Sequence, residues 1–133
     1  MKTLDLFIYN GQIHRILSLR EDKAWVINCS KQNMPIWIEL SLLNGCCESS
    51  EEDLISTANI VDYDSLSSQK KKLAHNRYTL IAPILPIVAD KYMRSRLIAK
   101  IADTQGVSKQ TVRRYLCIYL SYQNISALVS CEK

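Results

Sequence analysis

The chain is short of the residues that punctuate or staple a fold. Its 133 residues include three Gly and three Pro, too few for a collagen-like or Gly/Pro-rich low-complexity tract. It has two histidines, His14 and His75. Its five cysteines, Cys29, Cys46, Cys47, Cys117 and Cys131, contain no Cys-x-x-Cys pair. No structural zinc site is expected from that set, and the odd count argues for reduced thiols rather than a disulfide framework. No apolar run reaches the roughly 18 residues of a membrane-spanning helix. Asp5, Asn10 and Gln12 interrupt the start of the chain and leave no apolar core for a signal peptide, so a cytoplasmic protein is expected. There is no Gly-rich phosphate loop, no Gly-x-Ser-x-Gly, and no Cys/His pair with an obvious orienting acid. An enzyme is therefore not expected in this chain, and no cofactor or metal is assigned.

What is present is an ordinary globular composition, 47% hydrophobic and 23% charged. Full disorder is excluded on that balance. The length allows one modest domain or two small ones. Charge is divided unevenly. Residues 1–66 carry five Lys/Arg and ten Asp/Glu, a net of −5; residues 67–133 carry twelve and three, a net of +9. Such a split points to a nucleic-acid face on the basic half and argues against phosphate contact by the acidic half.

Local patterns divide the chain at about residue 60. Residues 1–60 read as a small β-rich module, a meander or an SH3-like barrel. Leu4–Tyr9 alternates, Asn10-Gly11 is a strong hairpin signal, and Ile13–Leu19 returns. In this second strand Ile13, Arg15, Leu17 and Leu19 should share one face, with His14, Ile16 and Ser18 on the other. Ala24–Cys29 and Ile36–Leu40 make a third and fourth strand, with Trp25 and Trp37 as packing residues and His14 as a satisfied or exposed histidine. Ser41–Asn44 reads as one helical turn before Gly45. Glu48–Asp53 reads as an acidic patch entering a linker. Residues 61–133 read as a three-helix domain. Asp64 and Ser65 are N-cap candidates for a helix over residues 66–88, which Pro83 and Pro86 must kink or end. Its apolar positions are Leu66, Leu73, Tyr78, Leu80 and Ile81. Tyr92–Thr104 and Lys109–Tyr122 are the next two helices, and Asn124–Lys133 is a tail.

The most informative stretch is Ile101–Leu116, IADTQGVSKQTVRRYL. Gly106 is suited to end one helix in a left-handed conformation. Val107 can plug the corner, Ser108 can cap the next helix, and Ala102 permits close approach. Val112, Tyr115, Leu116 and Tyr119 recur at helical spacing and should face the core. Ser108, Lys109, Gln110, Thr111, Arg113, Arg114 and Cys117 then fall largely on the other side. This is the pattern of a helix-turn-helix whose second helix reads a DNA major groove. Lys109, Gln110 and Arg113 are expected toward base edges, with Arg114 near phosphate or a neighbouring base. Lys70, Lys71 and Lys72, together with Arg94 and Arg96 on the preceding helix, are further candidates for contact with the DNA backbone.

The order of these parts carries a resemblance. Asn10–Leu17 (N-G-x-x-H-R-I-L), Ala24–Ile27 (A-W-V-I), a Pro-led strand and an acidic connection are followed by Arg77–Leu85 (R-Y-x-L-I-x-P-I-L). Then comes Arg94–Leu116, R-x-x-L-I-A-K-I-A-x-x-x-G-V-S-x-Q-T-V-R-R-Y-L. The combination resembles the N-terminal region of TnsB-like DDE transposases, relatives of the phage Mu transposase and retroviral integrases. It covers most of residues 4–128. The resemblance implies recognition of transposon end sequences, in service of a metal-dependent catalytic core that follows this region in the family. No acidic triad can be assigned within these residues, so the chain reads either as part of a transposase or as a stand-alone relative. Two further readings stand beside sequence-specific binding of double-stranded DNA. One is a helix-turn-helix transcription regulator. The other is an interaction module in which the acidic β part docks another transposition protein.

Overall fold

The computed structural model describes residues 1–130; Cys131 and the end of the expected tail lie outside the described residues. A five-stranded antiparallel sheet is followed by helices, an α+β architecture. The strands are β1 (Leu6–Tyr9), β2 (Gln12–Leu19), β3 (Lys23–Asn28), β4 (Ile36–Glu39) and β5 (Cys47–Ser49). Asn10 and Gly11 both have positive φ, 52° and 75°, as a two-residue hairpin turn matching strand twist requires. Leu40–Leu43 forms a 3-10 turn, and Gly45 at φ 83° redirects the chain. β5 then pairs with β1, so the strand order is β4-β3-β2-β1-β5. Sequence periodicity anticipates four strands; the fifth is three residues long, too short to show alternation.

Both faces of the sheet are covered. Phe7, Ile16, Ala24, Val26 and Leu43 pack on one side. On the other, Ile27 and Leu17 join the helical core, and Leu6 and Cys29 pack against Leu54. The register of β2 against β3 shifts between Ile16 and Ser18. One extra residue in a strand moves every later side chain to the opposite face. Leu19 accordingly packs with Ile16 and Phe7, not with Arg15 as simple alternation predicts.

The acidic patch expected to lead into a linker leads instead into regular structure. Cys47–Ser49 is β5 and Glu51–Ala58 is helix α1. Ser50 caps α1, its side chain accepting from the Asp53 amide, and three acids occupy the first turn where the helix dipole favours them. Helix α2 spans Ser68–Ile81, and a 3-10 turn over Ala82–Ile87 carries Pro83 and Pro86. The expected caps Asp64 and Ser65 belong instead to a separate turn. Leu66 is extended and buried, so the cap of α2 falls to Ser67. Leu73 faces solvent, and Ala74 and Ile81 take the core positions. Helix α3 is Lys91–Gln105, capped by Asp90; α4 is Lys109–Tyr122; α5 is Ala127–Ser130.

Helix α4 is central. Val112 and Leu116 are fully buried among Ile81, Ile84, Ile98 and Ile101. Its C-terminal half is enclosed on several sides, with Cys117, Ile118, Leu120 and Ser121 all buried. Ile118 packs with Ile60, Ala127 and Leu128, which places α5 beneath it. The boundary expected at residue 60 follows α1, and the sheet and helices on its two sides share buried contacts.

The strongest of these is Arg15. Its side chain is 2% exposed. Nε donates to the Ser121 carbonyl at 2.7 Å, Nη1 to the Leu4 carbonyl at 2.8 Å, and Nη1 and Nη2 grip the Glu51 carboxylate at 2.8 Å each. One guanidinium thereby ties β2, α1 and α4. Arg15→Met keeps the bulk but leaves the Ser121 and Leu4 carbonyls without a donor and gives the Glu51 carboxylate back to water. It should cost about 2–5 kcal/mol, since each buried carbonyl left without a donor costs about 1–3 kcal/mol. Glu51 is half open to water, with a side chain 55% exposed, so Glu51→Gln should cost less, about 1–2 kcal/mol. Urea unfolding of both variants checks this ordering; equal losses would mean that the carbonyl contacts contribute little.

Candidate nucleic-acid interface

The turn between α3 and α4 is built as its residue types dictate. Gly106 adopts φ 66° and ends α3, and both its amide and that of Val107 return to the Ala102 carbonyl. Val107 is half-buried against the helical core. The Ser108 side chain accepts from the Thr111 amide at 3.0 Å and meets the Thr111 hydroxyl at 2.9 Å. Ser108 and Thr111 are therefore engaged with each other in holding the start of α4.

Lys109, Gln110 and Arg113 stand exposed on the first turns of α4, and Arg114 is half-exposed. Val112 and Leu116, on the opposite side, are fully buried. None of the three cationic side chains is in an ion pair among the described residues; such pairs are Arg15–Glu51 and Lys23–Glu39. The start of α4 thus presents uncompensated positive charge and an amide on a helix whose backbone is locked from behind.

Helical spacing also assigns Cys117 to this polar side, since it lies one turn beyond Arg113. The structure corrects that. Cys117 is 1% exposed, because the β3–β4 connection lies over it, with Met34 Sδ 3.9 Å from Cys117 Sγ. The open face of α4 ends where the sheet module begins.

The remaining candidates are dispersed. Arg94 is expected outward but is 8% exposed, on the inner side of α3 with Ile98 and Ile101, and donates to the Val88 carbonyl at 2.9 Å. It ties α3 to the preceding turn and has no surface to offer. Arg96 is exposed and stacks over Tyr92, one turn back. Lys70 and Lys72 are exposed, while Lys71 is half-buried over the Tyr63 ring. These lysines occupy the first two turns of α2. About 13 Å of helix separates Lys71 from Leu80, where α2 and the end of α3 line one surface hollow with Ile101 and Gln105. The lysine run and the start of α4 are separate patches.

The β3–β4 connection, between the expected third and fourth strands, is not among the DNA-contact candidates assigned from the helical pattern. Lys31, Gln32 and Asn33 are exposed on it. Beside it lies a cleft of about 440 Å³ lined by Cys29, Lys31, Gln32, Leu54, Cys117 and Ile118, among others. Burial pushes the Cys29 thiol up to about 12, against a smaller opposing pull from Arg15. Burial likewise raises Cys117 to about 11, partly offset by Arg94. His14 stacks on Phe7 and shares a hydrogen bond with the Gln12 carbonyl. Desolvation lowers its pKa, as for a packed neutral ring. No three His, Cys, Asp or Glu side chains converge to hold a metal among the described residues, and no helix there is long and apolar enough to cross a membrane.

The thiol values give a direct prediction. Both cysteines are protonated at pH 8 in the folded protein, so a thiolate-selective alkylating agent should modify exposed Cys47 and spare Cys29 and Cys117 until denaturant is added. Peptide mass mapping reads this residue by residue. Because the folded state disfavours the thiolates, stability should fall as pH rises from the ordinary thiol value of 9.0 toward 12. Rapid native labelling of Cys117 would show that the β3–β4 connection does not stay on α4. No protein-family model and no curated protein sequence matches the chain.

Proposed function

We propose that this chain binds double-stranded DNA in a sequence-specific manner, with α3 and α4 acting as a helix-turn-helix. The observation that carries the reading is the start of α4. Lys109, Gln110 and Arg113 are exposed and in no ion pair among the described residues, while Val112 and Leu116 are fully buried. Reading base edges needs side chains that project a fixed distance from a backbone that does not yield. Gly106, Ser108 and the buried face of α4 supply that rigidity. Arg113 can take both acceptors of a guanine edge and Gln110 the donor and acceptor of an adenine edge. Lys109 stands beside them toward the base edges, and Arg114 and Arg96 serve phosphate contacts. Ser108 and Thr111 act through the cap, and Lys70–Lys72 form a separate basic patch that reaches only a long or bent duplex.

The −5/+9 division of charge supports the same assignment, because it puts phosphate attraction on the helical part. The return of β5 to β1 after a 3-10 turn supports reading the sheet as SH3-like. The resemblance of residues 4–128 to TnsB-like transposases supplies the target class, transposon ends. On that reading the catalytic carboxylates belong to a separate core, and the chain acts in the cytoplasm with other transposition proteins.

The test is selection of bound duplexes from a random pool, followed by titration of variants on the selected site. Gln110→Ala and Arg113→Ala should each cost about 1–3 kcal/mol and relax preference at one position. Lys71→Ala should weaken all sequences about equally or leave them unchanged. Binding should fall steeply with salt as counterions return to phosphate. Unchanged affinity and preference in both α4 variants would sink the assignment.

A further inference from the structure

Helix α4 meets the β3–β4 connection at two places. Toward the end of β3, Cys29 Sγ lies 3.6 Å from the Ser121 carbonyl, and the Tyr122 hydroxyl donates to the Cys29 carbonyl at 3.1 Å. At the far end, Met34 lies on Cys117, and Pro35 is buried. The connection is thus held along one face of α4. Between the two anchors, Lys31, Gln32 and Asn33 are three consecutive exposed polar side chains. The Ser30 amide donates to the Asn28 side chain, so the loop is also braced from within.

This places a second polar segment behind the open start of α4. From Lys109 to Leu116 the helix rises about 11 Å, with Lys109, Gln110 and Arg113 open to solvent. At Cys117 the sheet module covers it. A major groove is about 8.5 Å deep and about 12 Å wide. A helix entering by its N-terminal end, with about two turns available, brings whatever covers its third turn to the rim of the groove. The rim of the groove is sugar and phosphate. The segment that arrives there carries Lys31, the one cation between the two anchors, flanked by two amide side chains that can donate to phosphate oxygens.

We propose that Lys31, Gln32 and Asn33 form a phosphate clamp on the duplex beside the groove entered by α4. The inference rests on the proposed helix-turn-helix reading and adds to it a contact from the acidic, N-terminal part of the chain. Because the loop is anchored on α4 itself, the clamp and the base-reading side chains move as one body, and the sheet sets how deeply and at what tilt α4 enters. It gives the sheet module a role in DNA binding although its net charge alone opposes one.

The experiment uses the full chain on the selected duplex at two salt concentrations, with Lys31→Ala/Gln32→Ala/Asn33→Ala beside Gln110→Ala/Arg113→Ala. The clamp variant should bind about tenfold more weakly at low salt with unchanged sequence preference. Its salt slope should fall by about one, the contribution of one lost phosphate contact. Phosphate-ethylation interference should lose its effect at positions flanking the site and keep it within. If urea unfolding shows the triple variant to be unstable, Lys31→Gln alone should still reduce the slope by about one. Wild-type affinity, slope and ethylation pattern in the clamp variants, with the α4 variants impaired, would overturn the clamp and leave the helix-turn-helix reading standing. Failure of the unaltered chain to select any duplex would overturn both.

Discussion

The structure depends on a charge placed where charge is expensive. Arg15 sits inside the protein and donates to the Ser121 carbonyl, the Leu4 carbonyl and both oxygens of Glu51. A guanidinium removed from water is tolerated only when its donors are satisfied in good geometry. Meeting that condition requires β2, α1 and the last turn of α4 to arrive together. An apolar core would accept small slips of the sheet on the helices; a planar fork with fixed partners does not. The position of α4 relative to the sheet follows, and with it the place where the sheet stops covering the helix.

That stopping point separates two chemistries on one helix. From Leu116 onward α4 is a core element, with buried side chains on several sides. Before it, α4 is half core and half surface, and the surface half is basic. A helix embedded along its rear half is held far more firmly than one resting on a single face. The exposed side chains at its front therefore project from a rigid base. The two buried thiols beside Ser121 and Met34 are part of that embedding, and burial there raises the pKa of both.

Much of this was legible in residue order. The hairpin at Asn10-Gly11, the end of α2 before Pro83, the left-handed Gly106, the cap at Ser108 and the bounds of α4 all follow from local stereochemistry. Each depends on φ or on an orphan amide within a few residues. The readings that failed depended on contacts the chain makes elsewhere. Leu19 changed faces because of an irregularity in pairing with β3. Ser67 displaced Asp64 and Ser65 as a cap because Leu66 is drawn into the core. Arg94 turned inward because a carbonyl left free at Val88 accepts its guanidinium. Cys117 left the polar face because Met34 covers it.

By itself, then, the sequence determined four of the five strands and the three long helices, the α+β order, the charge division and the local build of the α3–α4 turn, since these rest on backbone geometry and composition. Only the tertiary structure decided which polar residues share a surface. It buried Arg15 and Arg94, set Lys70–Lys72 apart from the start of α4, and laid Lys31–Asn33 beside the covered part of that helix. The physical reason is that a side chain's exposure is fixed by what packs over it. For Cys117 the partner is 83 residues away, and for Arg15 it is 106, distances no local period can report.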